Sequence, residues 1–269
     1  MEFIKAFCIA FSIYSKVPVP QFKWEEKDMR YHLIFFPLVG ALIGGLLSLW
    51  NYICYCFDIG IITYTCIGVA IPLIVTGGFH VDGFMDTMDA LKSYKSREEK
   101  LEIMKDAHIG AFSVIMLAVW GLIFIGAFSY IGCEAYFMYE IYGVFICIFV
   151  LSRTLSAILV LSLKGAKDDG MLHTFSDSAT SKKNFVKTIL YVELIICLGF
   201  MFFSNIYLSI VVVVSAALFV IYYIWKTRKE FGGITGDTVG YFVVCLEIIL
   251  TVVIAVYGFI LSAVTVGIG

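Results

Sequence analysis

Long apolar stretches separated by short polar ones run through the whole chain. Seven of the apolar stretches, about 33–57, 59–76, 109–132, 141–163, 185–203, 206–225 and 238–261, are long enough, or nearly so, to cross the ~30 Å hydrocarbon layer of a bilayer. Each predicts a helix, because in lipid only helices and closed barrels satisfy every backbone N–H and C=O. The stretch at 59–76 is short, so six or eight crossings also fit the pattern. Ahead of them Phe3, Phe7, Phe11 and Tyr14 recur near helical spacing in a run too short to span. That run predicts an interfacial or re-entrant helix ended by Pro18 and Pro20. The expected fold is all-α: one integral membrane bundle over residues 1–269 with about seven transmembrane helices, the N-terminal helix and further helices in the polar loops.

Composition agrees, since 61% of the 269 residues are hydrophobic and only 15% charged, against about a quarter charged in an average soluble domain. The mean hydropathy is +0.96. Such a chain cannot hide its apolar surface in one soluble core, so the bilayer is its first partner. A net charge of −2 leaves no bulk electrostatic case for nucleic acid. The positive charges are segregated: eighteen of the nineteen Lys and Arg lie before residue 33 or in 77–108, 164–187 and 226–237. By the positive-inside rule these segments are cytoplasmic, which puts the N-terminus inside, the C-terminus outside and the protein in the cytoplasmic (inner) membrane. The eight cysteines show no metal-binding spacing, and most lie in apolar stretches, where Cys packs as a small hydrophobe.

The polar loop at about 77–108 changes the picture from membrane protein to candidate enzyme. Asp82, Asp86 and Asp89 fall at i, i+4 and i+7, within roughly a 60° arc of a helix, while Phe84, Met85, Met88 and Leu91 take the other side. Ionised carboxylates ~6 Å apart repel by about 3 kcal/mol per pair at an effective dielectric of ~20. No Lys or Arg occurs between Asp82 and Asp89 to offset this. A hard divalent cation, Mg²⁺ above all where phosphate completes its shell, answers that need. The alternative is a solvated acidic helix face. The Gly77-Gly78 pair permits a tight turn before the helix, and Asp82 is a candidate to cap it.

Further candidates lie around this loop. The run SREEKLEIMKDAHIG predicts a helix burying Leu101 and Met104, then Asp106 and His108 at the start of the next apolar stretch. Asp106 is a fourth potential ligand or a charge left at the interface, and Lys105 a phosphate partner or a snorkelling cation. His80 could bind substrate, carry a proton or make a structural hydrogen bond. Arg153 is the one cation inside an apolar stretch; it could clamp a pyrophosphate or pair with Glu193 or Glu247. Loop 164–184, with His173 and Asp177, is long enough for a lid. GGITGD, ending at Asp237, repeats the Gly-Gly and Asp of TGGFHVDG, a short match and weak evidence for a repeat. Acids, glycines and cations therefore converge on one membrane face, which suggests a site for an anionic, phosphate-bearing substrate.

The segments GGFHVDGFMDTMDAL (77–91), EIMKDAHIGAF (102–112), LSR (151–153) and GGITGD (232–237), with VPVP at 17–20, resemble the cobalamin synthase family, the adenosylcobinamide-GDP ribazoletransferases of bacteria and archaea. The resemblance covers essentially the full length, and its first two motifs are the specific ones. It implies a Mg²⁺-dependent membrane enzyme whose substrates are adenosylcobinamide-GDP and α-ribazole or its 5′-phosphate, with GMP released; a homo-oligomer is compatible with it. It implies Asp82, Asp86 and Asp89 as Mg²⁺ ligands, Asp106 as a further ligand or general base, Arg153 and Lys105 as phosphate clamps, and His80 and Asp237 on the substrate side. This chain departs from the family pattern at Phe84 and Met88, both on the apolar face, and at His108, whose role that departure leaves open. The rival readings are another membrane alcohol phosphotransferase of the CDP-alcohol type, an aspartate-rich prenyltransferase, or a transporter relaying charge through Arg153, Glu193 and Glu247.

Overall fold

A computed structural model describes residues 2–21, 25–134, 139–166 and 183–267. The elements are α1 (Glu2–Tyr14), a 3-10 turn (Glu26–Tyr31), α2 (His32–Phe57), α3 (Ile61–Thr76), α4 (Phe79–Lys92), α5 (Arg97–Ile103), α6 (Ala111–Glu134), α7 (Tyr139–Ser162), α8 (Lys183–Ser204), α9 (Ile206–Phe231) and α10 (Gly236–Gly267). Among the described residues there is no strand, only an isolated bridge between Gly165 and Ile234. The all-α expectation holds, and the seven apolar stretches fall on α2, α3 and α6 to α10. Among the described residues six helices are long and apolar enough to cross a membrane, or seven if the α3–α4 pair, bent by 92°, counts as one broken span. Its long arm is α3; α4 turns along the end of the bundle.

Local chemistry sets the breaks. Asp58 adopts a left-handed φ of 50° after α2, and the Ile59 N–H donates to Cys54 O at 3.0 Å. Between α8 and α9 the side-chain oxygen of Asn205 accepts from the Leu208 N–H at 2.9 Å, an N-cap that restarts the helix at once. The sharp α3–α4 turn needs two consecutive left-handed residues, and Gly77 (φ 63°) and Gly78 (φ 79°) supply them without a Cβ penalty. The chain leaving α1 is tied to this turn: the Lys16 N–H donates to Val75 O at 2.7 Å, and the Lys16 stem fills the space beside Gly77. As its length demands, α1 does not span; it packs Ile9, Phe11 and Tyr14 into the core beside α2.

The most buried crossing is α7, which packs on α2, α8 and α10. Outward faces of α6, α8 and α9 expose Ile115, Leu122, Ile195, Phe203, Leu218 and Ile221. A surface so apolar has hydrocarbon, not water, as its solvent. Alternation of the crossings brings the polar connections to one end of the bundle. There α5, opened by a reciprocal Ser96–Glu99 capping box, is strapped to the end of α9. Arg97 donates to the carbonyls of Arg228 and Lys229 at 3.4 Å, and Lys100 meets Glu230 at 2.5 Å. Met104 is buried as the sequence predicts, against Ala90 and Phe231.

Candidate active site

The three carboxylates of α4 share one face, exposed at Asp82 and half-buried at Asp86 and Asp89. Asp82 does not cap the helix. Gly78 is the N-cap, and Asp82 sits in the first turn with its own N–H donating to Gly78 O at 2.9 Å. What closes the site is the crossing of α4 with the start of α10. A Cβ at Gly83 would stand 2.8 Å from Asp237 O, and one at Gly240 would stand 2.9 Å from His80 O. The two backbones therefore touch, and this contact brings Asp237 to the acid face. The two Gly-Gly…Asp segments that look like a faint repeat are packed against each other.

Burial first, and then the charges of Asp82, Asp237 and Asp89, push the carboxyl of Asp86 up to about 6. Asp106 is not among the charges that act on it. The Asp89 carboxylate fills the space a Cβ at Gly110 would take, at the entrance to α6. Among the described residues no ion pair or hydrogen bond reaches the side chains of Asp82, Asp86 or Asp89. Four cations of this end have other partners: Lys100 and Lys226 pair with Glu230, Arg97 with the end of α9, and Lys105 with Glu102 at 3.1 Å on the exposed surface. Asp106 lies on an exposed turn, accepting from the His108 N–H at 3.0 Å and facing His108 Nδ1 at 2.7 Å. His173 and Asp177 lie outside the described residues.

Whether a metal suits this set is a matter of donors and charge. All four groups are hard oxygen donors, and the upward push on Asp86 by burial and its acidic neighbours marks a place where positive charge is missing. Among the described residues no three His, Cys, Asp or Glu side chains already converge as a closed metal cage. The cluster is an electrostatic one that a cation would draw together, and its chemistry fits Mg²⁺.

On the side of α4 away from its acid face, His80 shares a cavity wall with Arg153 of α7. Arg153 forms an ion pair with Glu247 of α10; its Nη1 donates to Ser152 Oγ at 3.0 Å and Phe149 O at 3.2 Å, and Ser152 donates to Glu247 Oε1 at 2.7 Å. Of the two roles open to Arg153, the structure displays the pairing with Glu247, and Glu193 takes no part in it. The His80 ring is buried and lies nearly parallel to Phe36 and Tyr14, with centroids 5.5 and 6.4 Å away. Burial, and then the charge of Arg153, hold it well below its usual range, so it is neutral. Sequence reasoning missed the place of Asp237 in the acid cluster. The signal is one glycine on each helix, Gly83 and Gly240, because small residues let helix backbones meet.

The fold and site together define a polytopic all-α membrane protein with an acid cluster at the polar end of its bundle, a setting that suits a membrane transferase for phosphate-bearing substrates. The sequence profile of the cobalamin-5-phosphate synthase family matches residues 6–255. The chain belongs to this family. It is 39% identical over 257 residues, 95% of both chains, to the adenosylcobinamide-GDP ribazoletransferase of Lachnoclostridium phytofermentans. It is 30% identical to the proteins of that name from Clostridium botulinum (strain Alaska E43), over 91% of this chain and 94% of the other, and Fusobacterium nucleatum, over 88% and 92%. No solved structure matches the chain.

Proposed function

We propose that this membrane enzyme joins adenosylcobinamide-GDP to α-ribazole or its 5′-phosphate, releasing GMP, and that the face formed by Asp82, Asp86, Asp89 and Asp237 carries the reaction. The observation that supports this most is the missing positive charge: acids packed together by a glycine-mediated helix crossing, with no ion pair to Asp82, Asp86 or Asp89 among the described residues. Held there, Mg²⁺ would neutralise oxygens of the pyrophosphate under attack and of the leaving phosphate.

The rest falls to the chain's own groups. A ribose hydroxyl oxygen attacks the phosphorus nearer the corrinoid, the P–O bond to GMP breaks, and a phosphodiester forms. The hydroxyl proton goes to a carboxylate, and Asp106, on the exposed turn just ahead of Gly110 and Asp89, is the acid placed to meet substrate from outside the cluster. Asp237 takes the position in the cluster that the sequence reading gives to Asp106. Lys105 reaches substrate phosphate only by leaving Glu102. The Arg153–Glu247 pair braces the crossing of α7 and α10 below α4. The cationic loops support a polar end in the cytoplasm and a protein of the cytoplasmic membrane.

The test is purified protein in lipid with Mg²⁺, adenosylcobinamide-GDP and α-ribazole, followed by chromatography of GMP and the corrinoid product. CDP-diacylglycerol serves as competitor. Turnover of CDP-diacylglycerol without corrinoid product would sink the proposal in favour of a CDP-alcohol enzyme.

A further inference from the structure

Two small cavities meet at the His80 ring. One, of about 50 Å³, lies at the polar end among Tyr14, Phe36, Phe79, His80, Ser156 and Gly236. The other, of about 130 Å³, lies deeper, where Arg153 and Glu247 join His80 in its lining. The first is an aromatic box. Tyr14 and Phe36 stand 4.2 Å apart by centroid, Tyr14 and Phe79 6.1 Å, and the planes of Tyr14 and Phe36 lie within 18° and 19° of the His80 ring. Two buried polar atoms in its wall, Ser156 Oγ and His80 Nδ1, have no hydrogen-bond partner. Buried polar groups left unpaired are costly, and a ligand that pairs even one of them gains that part of the cost back as affinity.

The box adjoins the acid cluster. Phe79 precedes Asp82 by one helical turn and Gly236 directly precedes Asp237. Resting on the activity proposed above, we infer that this box, formed by Tyr14, Phe36, Phe79, His80 and Ser156, holds the planar heteroaromatic base of the ribazole, with its ribose left at the mouth beside Asp82 and Asp237. The walls offer stacking faces and two polar atoms. That suits an apolar bicyclic base with one free ring nitrogen, to which the Ser156 hydroxyl donates. It does not suit guanine, whose several donors and acceptors would go unpaired here. An apolar cavity of roughly 150 Å³ accepts a single benzene ring, so a two-ring base needs more than the outer chamber. The room comes from the His80 ring moving toward the deeper chamber, which no hydrogen bond on Nδ1 opposes, and from Phe79, whose side is 42% exposed.

Equilibrium binding of radiolabelled α-ribazole to the protein in nanodiscs without Mg²⁺ tests this apart from turnover. Ser156→Ala removes a hydroxyl, and Phe79→Ala trims a partly exposed ring, so both variants keep the fold. Each should weaken ribazole binding about ten-fold, the worth of one hydrogen bond or ring contact, and raise the KM for ribazole in GMP release. The KM for adenosylcobinamide-GDP should stay within about two-fold. Unchanged ribazole constants in both variants, or a rise confined to the KM for adenosylcobinamide-GDP, overturn the base site while leaving the activity standing. No GMP release by the wild-type chain would overturn the activity itself, and this inference with it.

Discussion

Two groups of charges, separated by little more than the thickness of α4, are treated in opposite ways. Below the helix, Arg153 sits deep in α7 with its charge matched by Glu247 and its Nη1 donating to Ser152 Oγ and Phe149 O. On the helix face above, Asp82, Asp86 and Asp89 have, among the described residues, neither an ion pair nor a side-chain hydrogen bond, and Asp86 is pushed up to about 6. A charge within a membrane segment is tolerated where the protein itself supplies the counter-charge. A cluster left without one is stable only in part, and a ligand can complete it. The first arrangement is internally matched, and the second is the one proposed as the site.

The largest expected effect separates the two roles. Asp82→Asn, Asp86→Asn and Asp89→Asn should each lower GMP release by at least ~10³-fold, the scale of losing a key electrostatic contact to the transition state, while unfolding in detergent stays cooperative. Full activity in any two of them removes the metal assignment. On the other side, Glu247→Gln should cost about 3–5 kcal/mol of stability by leaving Arg153 buried without a partner. Arg153→Met combined with Glu247→Leu should recover most of it in thermal melts. A Glu247→Gln single variant as stable as the wild type would show that the pair does not brace the bundle.

Smaller effects sharpen the edges of the site. Asp106→Asn should lower kcat by about ten-fold if it takes the hydroxyl proton, the low end for general-base loss; an unchanged pH–rate profile would return Asp106 to a turn-capping role. The smallest is a stability effect with a definite sign. Asp86 titrates at about 6 in the folded protein and near 4 when unfolded. The folded state therefore binds the extra proton between those values, and stability falls as pH rises from about 4 to about 6 and stays lowered above. In Mg²⁺-free buffer Asp86→Asn should raise Tm at about pH 7.5 and give no gain at about pH 4. A variant that melts below the wild type at both pH values would show that Asp86 is compensated within the protein.

The sequence by itself determined most of the architecture. Segment length and apolarity specify crossings because a bilayer admits few other structures, and clustering of Lys and Arg assigns the polar connections to one end. The i, i+4, i+7 spacing places Asp82, Asp86 and Asp89 on one face without reference to anything else in the chain, and the motifs around them carry the family. Only the tertiary structure decided which distant groups join that face. Asp237 enters because Gly83 and Gly240 let two backbones touch. Asp106 and Lys105 stay outside because α5 ends at Ile103 and the turn after it is exposed. Arg153 meets Glu247, not Glu193, because α7 crosses α10 at that depth. Periodicity is a property of one helix, whereas the pairing of charges depends on where two helices approach, and that is set by packing.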